Sequence, residues 1–342
     1  MRLISKLFIT CNFILLQPCL ADCPFIKDGF ESLSIPGFPI FLTLPAKTFN
    51  IDADAAAGTL IGKMSVAANT FNDVYYDCNK IPTYLYGKTL NTTGLTDLSN
   101  NTFAVGDTGL SILPSLTSKG ATGYFPSMPR TLQVNPDSPY IVFTKNTSFE
   151  VQIYKRNAQL KLHDPQGEVV LPPTVAFITQ WINSDTPGDN RAFTVNLGGV
   201  TIVSTPVCKT DQSIKDVPFG SITETTLNNG IKRDLHFTLQ CQTDFGTYNA
   251  IASINARQRT SDNKYITVTD AAGNTDRLKI GITDSQGKTM NVDGTSSESK
   301  YSVQNNNAAQ FNWSATLLRA SPTLLPAVGD FTAHAEITFQ IN

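Results

Sequence analysis

The sequence predicts an all-β protein made of two β-sandwiches. Short runs of alternating or β-branched residues recur between turn signals along the chain, which is the pattern of strands. No window before residue 205 has the long amphipathic period of a helix, and prolines such as Pro82, Pro114 and Pro126 would interrupt most candidates. A chain of 342 residues is long for one domain and sufficient for two, each with its own core.

The predicted strands fall into two groups along the chain. The first group covers residues 38–44, 59–66, 74–78, 140–144, 149–154, 175–182, 193–197 and 200–203. The second covers residues 235–241, 250–256, 265–268, 278–282, 311–318 and 331–341. Residues 91–130 have weak periodicity and many Gly, Ser, Thr and Pro residues, which favours loops.

A domain boundary is predicted at Ser204-Thr205-Pro206, where a strand-like run ends in proline. The predicted organisation is a signal peptide at residues 1–21, a first domain at 22–204, a linker at 205–207 and a second domain at 208–342. We therefore expect each of the two domains to have its own core.

The first 21 residues have the features of a secretory signal. Arg2 and Lys6 precede an apolar stretch at residues 7–16, and small residues precede Asp22. The apolar stretch is too short to span a membrane, and Cys19 lacks the small preceding residue of a lipoprotein signal. We therefore expect export without a lipid or membrane anchor.

Charge and composition exclude some functions. Hydrophobic residues make up 41% of the chain and charged residues 16%, which fits an ordered extracellular β-protein and not a disordered one. The formal net charge is −2. Without the leader it becomes −4, from 24 basic and 28 acidic residues, and no basic stripe is left that would follow a nucleic acid backbone.

The cysteines point to disulfides and not to a metal. Four remain after the leader, Cys23, Cys78, Cys208 and Cys241, and they allow three pairings. Sequential pairing keeps each bridge within one predicted domain, where each would contribute about 3.5 to 4.5 kcal/mol in the chain-entropy model. There is no Cys-x-x-Cys motif, and the histidines are scattered at His163, His236 and His334. We predict neither a metal nor a cofactor.

The C-terminal residues form an amphipathic strand of unusual regularity. Its apolar side chains are Phe331, Ala333, Ala335, Ile337, Phe339 and Ile341, and its polar ones are Thr332, His334, Glu336, Thr338 and Gln340. Such a strand invites edge pairing and aggregation unless another segment covers it.

This segment resembles the last strand of subunits assembled by the chaperone and usher route of bacterial fimbriae. Gly329 stands fourteen places from the end, as in that family, whereas Ile341 replaces the usual penultimate aromatic residue. The order Cys208, Phe219-Gly220, Cys241 and the glycine-led last strand extends the resemblance over residues 208–342.

The resemblance implies an immunoglobulin-like or jelly-roll-type sandwich that lacks one strand. A periplasmic chaperone, and later the adjacent fimbrial subunit delivered through the outer-membrane usher, would insert a strand beside the last one. The implied groove residues are Gly329, Phe331, Ala333, Ala335, Ile337, Phe339 and Ile341.

A stackable subunit has a donor arm before its first cysteine, but here a whole domain precedes Cys208. That arrangement resembles two-domain tip adhesins, such as the mannose-binding tip of type 1 fimbriae and the collagen-binding tip of type 3 fimbriae. It implies a protein at the fimbrium tip on the bacterial surface whose first domain binds a host glycan or an extracellular-matrix protein.

Two clusters have the aromatic and polar residue types of a sugar site. One contains Asn79, Tyr84 and Tyr86, and the other contains Trp181, Asn183, Asp185, Asp189 and Asn190. Ordinary cross-strand packing and plain turns also account for them. Mannose specificity is not implied, because Lys80 follows Asn79 where the mannose-binding relatives have an Asp.

Three other functions are compatible with parts of the sequence. No catalytic motif is present, although folding can bring together a carboxylate pair such as Asp185 and Glu168, as in a secreted carbohydrate-active enzyme. A structural pilin without a receptor does not explain the length or the missing donor arm. A eukaryotic immunoglobulin-like receptor would use the glycan acceptor patterns at Asn91, Asn100, Asn146 and Asn312.

Overall fold

The computed structural model describes residues 23–27, 31–32, 40–183 and 191–342. Within them, residues 23–205 form what we call the N-terminal unit. Its strands are β1 (Phe25–Lys27), β2 (Glu31–Ser32), β3 (Ile40–Leu44), β4 (Lys47–Asp52), β5 (Leu60–Ala67), β6 (Val74–Asp77), β7 (Thr83–Leu90), β8 (Leu95–Asp97), β9 (Phe103–Val105), β10 (Leu110–Ser118), β11 (Ala121–Tyr124), β12 (Ser127–Gln133), β13 (Tyr140–Phe143), β14 (Ser148–Lys155), β15 (Glu168–Leu171), β16 (Thr174–Ile182), β17 (Arg191–Leu197) and β18 (Val200–Thr205).

Residues 207–342 form the C-terminal unit. Its elements are β19 (Val207–Thr210), α1 (Glu224–Asn228), β20 (Ile231–Gln242), β21 (Thr247–Asn255), β22 (Tyr265–Val268), β23 (Leu278–Thr283), β24 (Thr289–Met290), β25 (Asp293–Gln304), β26 (Ala308–Arg319) and β27 (Glu336–Ile341). The helix α1 is short and begins with a capping box at Thr223. It is not long or apolar enough to cross a membrane, and no other helix occurs in the described ranges.

Each unit has its own hydrophobic core. The N-terminal unit contains the larger sheets β5-β14-β10-β9-β8 and β12-β7-β16-β17-β3 and the smaller sheets β13-β6-β1-β2 and β15-β18-β4. In the C-terminal unit the sheet β19-β20-β26-β23-β22 faces the sheet β25-β21-β27. The two clusters of buried side chains share no residue. The predicted all-β fold class is confirmed.

The strand predictions agree with the structure where the hydrophobic pattern is strong. The prediction of loops for residues 91–130 is wrong, because β8 to β12 lie there. Strand β10 buries Leu110, Ile112 and Leu116 in the core while its edges pair with β9, β11 and β14. Pairing with neighbouring strands stabilises these strands, although their own Gly-rich and Pro-rich sequences do not predict them.

The two sequential disulfides are confirmed. Cys23 is bonded to Cys78, with a Cα–Cα distance of 4.5 Å, and Cys208 to Cys241, with a distance of 4.0 Å. The second bridge joins directly opposite residues of β19 and β20. It thereby fixes the first strand of the C-terminal unit to its neighbour.

The two units meet at a buried polar junction. Asp244, in the turn between β20 and β21, accepts hydrogen bonds from the Leu160 amide and the Ser204 hydroxyl, each at 2.7 Å. Its second carboxylate oxygen lies 3.9 Å from the ammonium of Lys155, and both side chains are fully buried. Lys155 also donates to the Ala53 carbonyl at 2.6 Å. The junction therefore pairs the buried charge of one unit with groups of the other.

Candidate functional site

The terminal strand β27 lies at an edge of its sheet. It pairs antiparallel with β21 from Ala250↔Ile341 to Asn255↔Glu336, and no other described strand pairs with it. The observed strand is shorter than the predicted one, because β27 begins at Glu336 whereas the amphipathic pattern begins at Phe331. Before β27, residues 333–335 are outside any strand, and Thr332 forms an isolated bridge with Thr269.

The register shows which backbone groups of β27 are without a strand partner. Asn342 and Asn249 exchange both hydrogen bonds, at 2.9 and 3.1 Å. Because hydrogen-bonded and non-hydrogen-bonded pairs alternate in an antiparallel ladder, Gln340 and Thr338 also bond to β21. The N–H and C=O groups of Ile337, Phe339 and Ile341 then point away from β21, toward the open edge.

The apolar side chains of β27 cover the C-terminal core only partly. Ile337, Phe339 and Ile341 are half-buried and pack against it, whereas Ala335 is exposed. The Phe339 ring lies 5.8 Å from that of Phe237 on β20 and 6.0 Å from that of Phe311 on β26. Phe339 thus connects the two sheets at the side where β27 ends one of them.

Two residues fix the chain ahead of β27. Gly329 has φ +137°, and a Cβ there would come within 2.6 Å of the Ala271 side chain, so a larger residue would clash. Asp270 accepts hydrogen bonds from the Ala327 amide at 2.9 Å and from the backbone and side chain of Asn274. These bonds hold the pKa of the Asp270 carboxyl at about 2.

The opposite border of this open side is formed by the start of the C-terminal unit. Strand β19 pairs with β20 only from Gln242 to Leu239. Beyond that point Phe219 is buried and its ring lies 6.4 Å from that of Phe331, and the Phe219 carbonyl accepts a hydrogen bond from Arg233. Phe219 therefore packs beside the segment that leads into β27.

In the N-terminal unit, the structure brings parts of the two predicted sugar-site clusters together. The Leu85 amide donates to the Asn183 side chain at 2.9 Å, and the Asn183 amide donates to the Leu85 carbonyl at 2.8 Å. Tyr84 and Tyr86 flank Leu85 and are both half-buried against the core. Asn183 has φ +59°, in the left-handed region, and so ends β16 next to these tyrosines.

Other predicted residues lie apart from this cluster. Trp181 is buried, donates to the Thr89 hydroxyl at 2.8 Å and packs over Gly87. It projects from the sheet face opposite to that of Gln180. Asn79 is exposed and bonds its own neighbour Asp77. Asp185, Asp189 and Asn190 lie outside the described residues.

The remaining alternatives are also located by the structure. Glu168 accepts a hydrogen bond from the His163 amide, and its carboxylate lies 3.4 Å from the His163 ring. No cluster of three or more potential metal ligands occurs among the described residues.

Three polar residues near Tyr86 were not predicted from the sequence. Register places Arg130 of β12 opposite Tyr86 and Gln180 of β16 opposite Lys88. Gln180 donates from its side-chain nitrogen to the Tyr86 hydroxyl at 2.6 Å. Their sequence positions are 42 and more residues apart, so only strand pairing reveals the cluster. Burial raises the pKa of Tyr84 and of Tyr86.

Comparison with known proteins supports the fimbrial resemblance. Residues 193–342 match a family model described as "Fimbrial protein". The predicted resemblance to fimbrial proteins is therefore confirmed over these residues, and the match begins within the N-terminal unit, ahead of Cys208. No curated protein matches the chain.

Several solved structures are similar at low sequence identity. The CsuC–CsuE chaperone–tip adhesin complex of Acinetobacter baumannii gives 10% identity and a TM-score of 0.41, covering 89% of this chain and 99% of that one. The receptor-binding domain of the adhesin MrkD1P of Klebsiella pneumoniae gives 13% identity and a TM-score of 0.36, covering 50% of this chain and 94% of that one. The CupB6 tip adhesin of Pseudomonas aeruginosa gives 13% identity and a TM-score of 0.35, covering 85% of this chain and 89% of that one. Each of these three TM-scores is below 0.5.

Proposed function

We propose that this chain is a fimbrial tip adhesin. Its C-terminal unit accepts a donated β-strand along β27, first from a periplasmic chaperone and then, at the outer-membrane usher, from the adjacent fimbrial subunit. Its N-terminal unit binds a host-surface glycan or an extracellular-matrix protein. The predicted domain limits, 22–204 and 208–342 joined by 205–207, are part of this proposal. The match of residues 193–342 to fimbrial proteins favours an adhesive or structural role over catalysis.

The observation that carries the proposal is the open edge of β27. The residues whose N–H and C=O groups point outward, Ile337, Phe339 and Ile341, are also those whose apolar side chains reach the core, which is what strand addition requires. Five inward side chains of a donated strand, at about 1.5 to 3 kcal/mol each, would contribute roughly 7 to 15 kcal/mol as an upper bound. That range equals the stability of a whole domain, so the chain should depend on a partner.

Assembly can be tested with the full chain and a synthetic strand. A peptide with five apolar residues at alternate positions should form a one-to-one complex and suppress aggregation. A peptide of the same composition without the alternation should not bind, because its apolar side chains would face solvent. A mature chain that stays monomeric, folds reversibly and ignores the alternating peptide would contradict strand acceptance.

Receptor binding needs its own experiment. The peptide-complexed chain should bind at least one member of an array of glycans and matrix proteins, and removing the side chains of Tyr84 and Tyr86 should weaken that binding. A matched control is Tyr301→Ala, which removes an exposed tyrosine of the C-terminal unit. A folded complex that binds no array member would contradict the adhesin role while leaving the assembly role intact.

A further inference from the structure

One face of β7 and of the two strands that pair with it carries a cluster of polar side chains. Tyr84, Tyr86 and Lys88 occupy alternate positions of β7, so their side chains project from one face. Gln180 lies directly opposite Lys88 and Arg130 directly opposite Tyr86, and directly opposed residues share a face. We call these five residues the cationic recess.

The cationic recess runs from the core to solvent. Gln180 is 5% exposed, Tyr86 and Lys88 are half-buried, and Arg130 is exposed. The side-chain nitrogen of Gln180 donates to Tyr86, whereas its buried carbonyl oxygen has no hydrogen-bond partner. This oxygen is an acceptor that solvent does not reach, so the attraction for an anion comes from Lys88 and Arg130 alone.

The two cations have no anion beside them within the described part of the chain. Lys88 lies 5.8 Å from the Phe125 ring centre and against Gly123, where a Cβ would come within 2.2 Å of the ammonium. Burial and the neighbouring charge of Arg130 both lower the pKa of Lys88. By contrast, Lys63 and Lys300 elsewhere on the surface pair with carboxylates. A half-buried lysine without a counter-charge lowers the stability of the fold. An anion bound beside Lys88 would offset that cost.

We propose that the cationic recess binds the carboxylate or sulfate group of an acidic glycan, which deepens the proposed function by naming its receptor class. Lys88 and Arg130 supply the charge, with the planar guanidinium placed at the exposed entrance, where it forms paired hydrogen bonds to an oxyanion. Tyr84 supplies ring surface and a hydroxyl group of the kind that contact sugars, whereas the Tyr86 ring stacks on the buried Phe143 and its hydroxyl accepts from Gln180. Neutral sugars use only the second set and bind more weakly.

The test uses the full mature chain in complex with a donor-strand peptide. An array of carboxylated, sulfated and matched neutral oligosaccharides is probed, and the strongest acidic member is then titrated at two salt concentrations. We expect acidic members to bind in preference to their neutral counterparts, with affinity that falls as salt rises. Lys88→Met and Arg130→Gln should each weaken binding at least tenfold, whereas Lys209→Gln, at an exposed lysine of β19, should not.

Stability separates a binding defect from a folding defect. Lys88→Met removes a half-buried unpaired charge, so its melting temperature should equal or exceed that of the unchanged chain while acidic binding weakens at least tenfold. Equal binding of neutral and acidic members, or unchanged binding in both variants, would overturn the cationic recess but leave the receptor role standing. Binding to matrix proteins alone would likewise overturn the cationic recess and leave the receptor role standing. No binding to any array member would overturn both the cationic recess and the receptor role.

Discussion

Polar groups have hydrogen-bond partners at the junction between the two units, whereas outward backbone groups along the open edge of β27 have no strand beside them. At the junction, both oxygens of the Asp244 carboxylate are satisfied, by Leu160 and by Ser204, and Lys155 donates to a carbonyl. At β27, the backbone groups of Ile337, Phe339 and Ile341 have no strand beside them. The junction is therefore completed within the chain, whereas the β27 edge leaves the backbone groups of three residues available to an added strand.

The largest effect should come from closing the open edge. A strand with five alternating apolar residues, tethered after Asn342 by a flexible linker, should raise the unfolding free energy by several kcal/mol, up to roughly 7 to 15 kcal/mol. The measurement is denaturant unfolding of the mature chain with and without the tether. A matched tether with proline at alternate positions cannot donate hydrogen bonds and should have little effect. Equal stabilisation by both tethers would contradict the proposal.

The junction should be the next most sensitive region. Asp244→Ala leaves the fully buried Lys155 without its counter-charge and removes two hydrogen-bond acceptors, so we expect a loss of about 3 to 5 kcal/mol. Asp234→Ala, which removes an exposed carboxylate, should cost less than about 1 kcal/mol. Chemical denaturation compares the two variants. Similar losses would show that the junction is not the tightly paired contact described here.

The inner face of β27 should be more sensitive than its outer face. Phe339→Ala removes a half-buried ring between Phe237 and Phe311, which should cost about 2 kcal/mol, below the range for fully buried aromatics. It should also weaken peptide binding. Thr338→Ala changes an exposed side chain of the same strand and should leave both properties nearly unchanged. Calorimetry of the two variants, with and without peptide, measures the contrast.

The smallest effect should be the pH dependence of the anchor before β27. Asp270 has a folded pKa of about 2, below its ordinary value of 3.8. Its carboxylate therefore stabilises the fold above about pH 4, and this contribution is lost as the pH falls through about 2. Asp270→Asn should lower the melting temperature at neutral pH, and its difference from the unchanged chain should shrink between pH 4 and 2. Asp137→Asn, at an exposed site, serves as the control, and a constant difference for Asp270→Asn would contradict the anchor.

Much of the fold is predictable because hydrophobic alternation is local. Strands such as β14 and β23 are found from their own residues, and the sequential disulfides follow from the two-part organisation. Strand β25 was not predicted, because its sequence is mostly polar. It is held by its pairing with β21 and by Glu298, which accepts a hydrogen bond from the Trp313 ring of β26 at 2.7 Å.

The candidate sites show the same limit. The β27 segment is visible in the sequence because its alternation, its glycine and its terminal position are adjacent in the chain. The cationic recess is not, because Lys88, Arg130 and Gln180 carry no motif and meet only through the registers of β7, β12 and β16. Trp181 shows the reverse case, since a residue typical of sugar sites packs against Gly87 and is itself buried.

Amide hydrogen exchange at β27 tests the central claim most directly. In the mature chain alone, the amides of Ile337, Phe339 and Ile341 should exchange quickly, while those of Thr338 and Gln340, bonded to β21, should be protected. Addition of the alternating peptide should protect the first three and leave the other two unchanged. Protection of Ile337, Phe339 and Ile341 in the monomeric chain without peptide would show that the edge is already closed and would contradict the account.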